Sequence, residues 1–254
     1  MKENKFNLSD DNLSVDLNDA TLAVKETRFL DAFKLLEIIL QDHPDHIDSL
    51  YLAAVSSRYL KKFNESKEYI ERLLVNAPDM GRAYQELGHL NRDIGNEDKA
   101  VTHYRQACEL NPALLASWSA LYKYFLKNKN QPAYEHALEQ VKKLESIPSI
   151  LLYISQILNE GRLGFAEAKC REFLKKNPTH TYAMALLSEI ANRLGYFDDA
   201  EFLLEKAVNF KPEDGELRMK YAEILRKKQK FAKTMEQVNI LCEKHPDNLV
   251  YQAQ

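Results

Sequence analysis

Residues 81–114 read GRAYQELGHLNRDIGNEDKAVTHYRQACELNPAL, and this stretch decides the fold. Its apolar residues recur at helical spacing on both sides of Gly95-Asn96, which predicts two helices joined by a short turn. Tyr84, Leu87, Gly88, Ala100, Tyr104, Ala107 and Pro112 fall at positions 4, 7, 8, 20, 24, 27 and 32 of the stretch. Positions 8 and 20 are where the two helices face each other, so one of them must be small. A larger side chain at Ala100 is therefore expected to overpack the contact. The large residues at positions 4, 7 and 24 fill the layer between neighbouring units. Pro112 lies just past the second helix, where a proline cannot continue it.

The same spacing extends along the chain. Pro44, Pro78 and Pro112 are 34 residues apart, as are Pro178, Pro212 and Pro246. The interval from Pro112 to Pro178 is 66 residues, two steps less two residues. A fixed period between about 20 and 50 residues marks a stack of repeated units. Numbered so that the ladder proline is position 32, the repeats begin at Leu13, Ile47, Gly81, Leu115, Ile147, Thr181 and Gly215. The intervening breaks are Glu26-Thr27-Arg28, Lys61-Lys62, Gly95-Asn96, Lys127-Asn128, Gly161-Arg162, Gly195-Tyr196 and Gln229-Lys230. The sixth repeat keeps Met184, Leu187, Ala200, Leu204, Ala207 and Pro212; the fourth keeps Trp118 and Leu121. Phe29, Phe63, Phe197 and Phe231, with Leu163 in one repeat, recur at position 17 and are expected to plug the turn between helices. Glycines are mostly architectural, with Gly81, Gly215, Gly88, Gly95, Gly161 and Gly195 at positions 1, 8 or 15.

Two places depart from the pattern. The fourth repeat, residues 115–146, lacks the proline at position 32 and has Tyr134 where alanine is expected. Its second helix should start near Pro132 and end before Ile147-Pro148, with a change of stacking there. The other departure is the C-terminus. Asp247-Asn248 opens what reads as a truncated further helix, residues 247–254, and repeat arrays need a polar terminal helix. The reading is therefore an N-terminal piece of something longer, with residues 1–12 as a flexible polar tail and 13–246 as seven repeats.

Composition narrows the function. Charged residues make up 29% of the 254, yet the net charge is −3, which gives no support to a nucleic-acid binder. The N-terminus has no apolar core of a secretory signal, and no run reaches the ~18 residues needed to cross a bilayer. Cys108, Cys170 and Cys242 fit no metal spacing and read as reduced thiols packing as small hydrophobes in a cytoplasmic protein. His43-Pro44-Asp45-His46 offers two ligands, too few for a metal site. No G-x-S-x-G, H-E-x-x-H or P-loop is present, so no catalytic residue, cofactor or metal is expected within the chain.

Positions 2, 5, 9 and 12 of the first helices should line a concave groove. They supply Asp48, Tyr51, Val55, Arg58, Arg82, Gln85, His89 and Arg92 in the early repeats. Ser119 and Lys123 follow, then Tyr182, Glu189, Glu216, Glu223 and Arg226. The lining runs from basic to acidic, which suits an extended peptide or protein ligand whose direction is set by charge. Ordinary solvated helix residues would look the same.

The pattern of aromatic, Leu, Gly, Ala, aromatic, Ala and Pro in residues 84–112 resembles the tetratricopeptide repeat. That resemblance implies an all-α, right-handed superhelix of seven helix pairs and a protein-binding role. The co-chaperone subclass that clamps a C-terminal carboxylate is not matched, since Tyr51, Val55, Glu86, Ala116 and Ala120 stand at its positions. The asparagine ladder of the N-acetylglucosamine-transferring subclass is missing too, with Leu52, Glu86, Ala120, Leu152, Leu186 and Lys220 in its place.

Longer phrases narrow the resemblance. Gly81–His89, Asn111–Leu114 with Ser117-Trp118, Glu160–Arg162, Asp198–Glu205, Tyr221–Glu223 and Pro246–Asn248 resemble the N-terminal repeats of bacterial proteins in which a sulfotransferase domain follows. The resemblance implies a substrate- or partner-binding region of a larger sulfotransferase-type protein. None of the donor-binding loop lies in this chain, so no catalytic residue carries over. The alternative is a stand-alone adaptor for a multiprotein complex, self-associating or joined by a partner at its open C-terminal end.

Overall fold

The structure is a computed structural model and describes residues 8–244. Among them it contains fourteen α-helices and no strands. The first unit of the chain ends at Ser146 and the second begins at Ile147, where the proline ladder falls two residues short.

In the first unit the pairs are α1 (Leu8–Lys25) with α2 (Phe29–Asp42), α3 (Ile47–Tyr59) with α4 (Phe63–Asn76), α5 (Gly81–Asp93) with α6 (Glu97–Leu110), and α7 (Leu115–Lys127) with α8 (Gln131–Glu145). In the second they are α9 (Ser149–Asn159) with α10 (Leu163–Lys176), α11 (Thr181–Arg193) with α12 (Phe197–Phe210), and α13 (Gly215–Lys227) with α14 (Phe231–Lys244). Each helix packs on its pair partner, and each pair in a unit packs on the next. The first helix starts at Leu8, ahead of the expected Leu13, and Leu13, Leu17, Ala20 and Val24 form its buried stripe. Of the expected tail, residues 1–7 lie outside the described residues, as does the helix expected at 247–254.

One backbone rule repeats at position 15. Thr27, Lys61, Gly95, Lys129, Gly161, Gly195 and Gln229 all have positive φ, between +53° and +88°. The turn reverses the chain in three residues, and only a left-handed residue lets the second helix return along the first. Glycine adopts this geometry without strain, while the four other residues adopt it at a cost.

The ladder prolines are tied to the repeat that follows. Trp118 Nε1 donates to the Pro112 carbonyl at 3.0 Å, and Arg218 Nη2 donates to the Pro212 carbonyl at 2.9 Å. Both donors sit at position 4. A carbonyl of the inter-repeat turn, just past the helix cap, is thereby satisfied.

Positions 8 and 20 do face each other. Ser66 Oγ donates to the Ala54 carbonyl at 2.9 Å, and Ser188 Oγ donates to the Ala200 carbonyl at 3.1 Å. The requirement that one be small fails in the fourth repeat. Tyr122 and Tyr134 occupy both positions, and their rings pack 5.2 Å apart at 30°. The half-buried rings fit at the helix surface by packing tilted against each other. The position-17 residues divide: Phe63 and Leu163 are half-buried and pack against the core as expected, while the others do not. Phe197 is 39% exposed and Phe231 61%, so neither is a plug. Phe29 instead stacks on Tyr59 of the next pair, ring centroids 4.1 Å apart. A residue at the first position of a helix points past its end, where little closes over it.

Candidate functional site

The first helices α3, α5 and α7 lie side by side in the first unit. Between α5, α6 and α7 they leave an open cleft of about 390 Å³. Its floor is carbon: Ala100, Val101, the ring of Tyr104 and Ala120, with exposed Ala116 at the edge. Around the rim stand His89, Arg92, Glu97, Ser119, Lys123, Tyr124 and Lys127. Ala116 and Ala120 keep the cleft open, because longer side chains there would fill it.

Gly88 fixes the floor. A methyl group on Gly88 would sit 2.5 Å from the Tyr104 ring, so glycine lets that ring lie flat against α5. In this repeat the tightest approach is therefore between positions 8 and 24, with Ala100 beside the cleft. Tyr104 is 2% exposed, its hydroxyl is 2.7 Å from His89 Nδ1, and burial pushes its pKa up to about 12. His89 titrates at about 4, because burial and the nearby Arg58 and Arg92 guanidiniums disfavour its charged form. It is a neutral imidazole at neutral pH.

Beneath the rim runs a charged network. Arg58 is 7% exposed and faces inward, with Nε donating to Glu86 and Nη1 donating to Asp93 at 2.7 Å. Burial opposes its charge, yet Glu86 and Asp93 hold the guanidinium above its ordinary value. Burial pushes the Glu86 carboxyl up against the pull of Arg58. Burial acts on Asp93 in the same sense, but hydrogen bonds from Arg58 and Arg92 hold it below the usual range.

The structure brings four of the expected groove residues together in the cleft: His89, Arg92, Ser119 and Lys123. Arg82 lies over the Tyr51 ring, 4.5 Å from its centroid, and Gln85 accepts a hydrogen bond from Ser117 at 3.0 Å. Val55 is half-buried on α3. Tyr182 is half-buried in the second unit, Glu189 pairs with Arg193 at 2.8 Å, and Glu223 is exposed. Basic residues early in the chain thus carry less free charge than their count suggests. Arg58 is neutralised from inside and Arg92 pairs with Asp93 at 3.0 Å.

Three rim residues escape the 2, 5, 9, 12 rule. Lys127 is paired with Glu97 at 2.8 Å, and the Tyr124 hydroxyl donates to Asp98 at 3.0 Å. The signal for them was present: Lys123, Tyr124 and Lys127 follow one another at i, i+1 and i+4 at the end of α7, opposite Glu97-Asp98 one repeat earlier.

The histidines of the inter-repeat turns have a local task. His46 accepts from the Ser49 backbone N–H at 3.3 Å, and His180 accepts from that of Ala183 at 3.3 Å, each capping a helix. Cys108 and Cys170 are buried, and burial pushes both thiols up to about 12. Among the described residues no group of three His, Cys, Asp or Glu is placed to hold a metal, and no helix is long and apolar enough to cross a membrane.

Comparison with known proteins follows the repeat. Residues 81–114 and 181–214 match the family model described as tetratricopeptide repeat. Among solved structures, the chain is similar to Naa15/Naa10 bound to HypK-THB, with 18% identity and a TM-score of 0.46 over 94% of this chain. It spans only 38% of that protein's chain. It is also similar to the anaphase-promoting-complex hetero-tetramer Cut9–Hcn1, at 15% identity and a TM-score of 0.45, over 98% of this chain and 49% of that one. A third is PilF of Pseudomonas aeruginosa, at 11% identity and a TM-score of 0.42, covering 96% of both chains. The chain carries tetratricopeptide repeats, set in an all-helical array of pairs.

Proposed function

We propose that this chain is a protein-interaction scaffold whose first helices α3, α5 and α7 dock an extended peptide or protein segment. The observation that carries the reading is the cleft of about 390 Å³ on a tetratricopeptide repeat, carbon-floored and rimmed with charge. Pockets of roughly 300–1,000 Å³ with a few convergent polar groups are where ligands bind. The test is a pull-down with the whole chain and with the double variant Arg82→Glu, Arg92→Glu, checked for unchanged helicity by circular dichroism. Partners that bind the wild type should drop away from the variant. Equal recovery by both would end the groove reading.

The sequence phrases around Gly81–His89 and Asp198–Glu205 support a setting for the scaffold: the N-terminal substrate- or partner-binding region of a sulfotransferase-type bacterial protein. Reading the coding sequence past Gln254 tests it. An in-frame sulfotransferase domain supports the setting, and an immediate stop codon favours the stand-alone adaptor.

A further inference from the structure

We infer that the cleft between α5, α6 and α7 takes one large apolar side chain from an acidic peptide, whose flanking carboxylate pairs with Lys123. The inference rests on the scaffold reading above and names the ligand class of that site.

The floor selects for an apolar group. It is built from Ala100, Val101, Ala120 and the ring of Tyr104, with exposed Ala116 at its edge. The two phenols at the site are already engaged, Tyr104 with His89 at 2.7 Å and Tyr124 with Asp98 at 3.0 Å. A polar group pushed onto this carbon floor would lose water without regaining a partner from either phenol, which is costly, whereas an apolar one suits the surface. A cleft of about 390 Å³ suits one large side chain and the backbone beside it.

The rim selects for a single negative charge. Glu97 neutralises Lys127 at 2.8 Å, and Asp93 neutralises Arg92 at 3.0 Å. Exposed Lys123 has no ion-pair partner among the described residues, so one positive charge is left uncompensated at the mouth. A lone carboxylate complements it. A nucleic-acid backbone draws its affinity from several neutralised phosphates, and the rim does not supply the cations for that.

The test uses the full chain and a phage-displayed library of random dodecapeptides. The expected selection is an aromatic or large aliphatic residue flanked by Asp or Glu. Binding of the selected peptide, read by fluorescence anisotropy, should weaken at least tenfold in Lys123→Glu. It should also weaken at least tenfold in Ala116→Phe, which plugs the cleft from an exposed position and leaves the core alone. Replacing the central apolar residue of the peptide by alanine should abolish binding. Selected peptides that lack acidic residues, or that bind both variants as tightly as wild type, overturn the inference while the scaffold reading stands. A library that yields no binder at all overturns the scaffold reading itself.

Discussion

Tyr104 occupies the space that any side chain at Gly88 would need: a Cβ on Gly88 would lie 2.5 Å from Tyr104 Cε1 and 2.6 Å from Cδ1. The glycine of one helix and the aromatic of its partner form a single packed unit, and that unit is the floor of the cleft. Gly88→Ala should therefore destabilise the array even though alanine favours a helix by about 1 kcal/mol over glycine. Overpacking costs about 1–3 kcal/mol, and a ring buried to 2% exposure has little room to retreat. The expected net loss is up to about 2 kcal/mol. A melting temperature equal to wild type would show that the ring can move.

Gly95 gives the opposite test. Nothing lies within 4 Å of a Cβ there, yet its φ is +88°. Gly95→Ala should cost about 1 kcal/mol through backbone strain alone. The reverse change at the equivalent turn, Thr27→Gly, should gain up to about 1 kcal/mol, since a β-branched residue is held at φ +60°. Urea midpoints for both variants would settle it; equal midpoints would mean the turn tolerates either residue.

Arg58 and Glu86 are both buried, at 7% and 2% exposure. Glu86→Ala should cost about 3–5 kcal/mol, because a buried guanidinium is left with Asp93 alone. Lys127→Ala, which breaks the exposed pair with Glu97, should cost less than about 1 kcal/mol. Chemical denaturation of the two variants side by side measures the contrast. Similar losses would mean that Arg58 finds water when Glu86 is gone.

His89 predicts a dependence on acid. Its folded pKa of about 4 lies below the ordinary 6.5, so between these values the unfolded chain binds a proton that the folded chain refuses. The contribution is present in full above pH 6.5 and is lost as pH falls toward 4. The groups facing the ring are the Tyr104 hydroxyl, Arg58, Arg92 and Asp93, and of the charged ones only Asp93 opposes the shift. On the order of 2 kcal/mol should disappear on acidification. In His89→Gln the fall in stability from pH 7 to pH 4.5 should be smaller than in wild type, measured by urea unfolding at both values. Parallel pH profiles would assign the acid sensitivity to other groups.

Much of the fold was legible in the sequence because repeats report themselves locally. Ile47, Gly81, Leu115, Thr181 and Gly215 begin helices as the proline ladder places them. The second helix of the fourth repeat runs Gln131–Glu145, beside Pro132 and short of Ile147 as its irregular sequence implied. What stayed hidden depends on neighbours in space. Arg58 looks like any solvent-facing basic residue until Glu86 and Asp93 of the next pair close over it. Tyr122 and Tyr134 look forbidden at positions 8 and 20 until their rings are seen to pack tilted against each other at the helix surface.

The sequence by itself determined the helix pairs, their turns and their order. Helix periodicity, a short polar break between paired helices and a stop at each ladder proline are short-range properties of the chain. Only the tertiary structure decided which charges are free. Lys123 and Arg58 occupy similar positions on first helices, yet one stands at an open rim and the other is enclosed by carboxylates. Burial and pairing are set by residues roughly one repeat away, and that distance is bridged by packing.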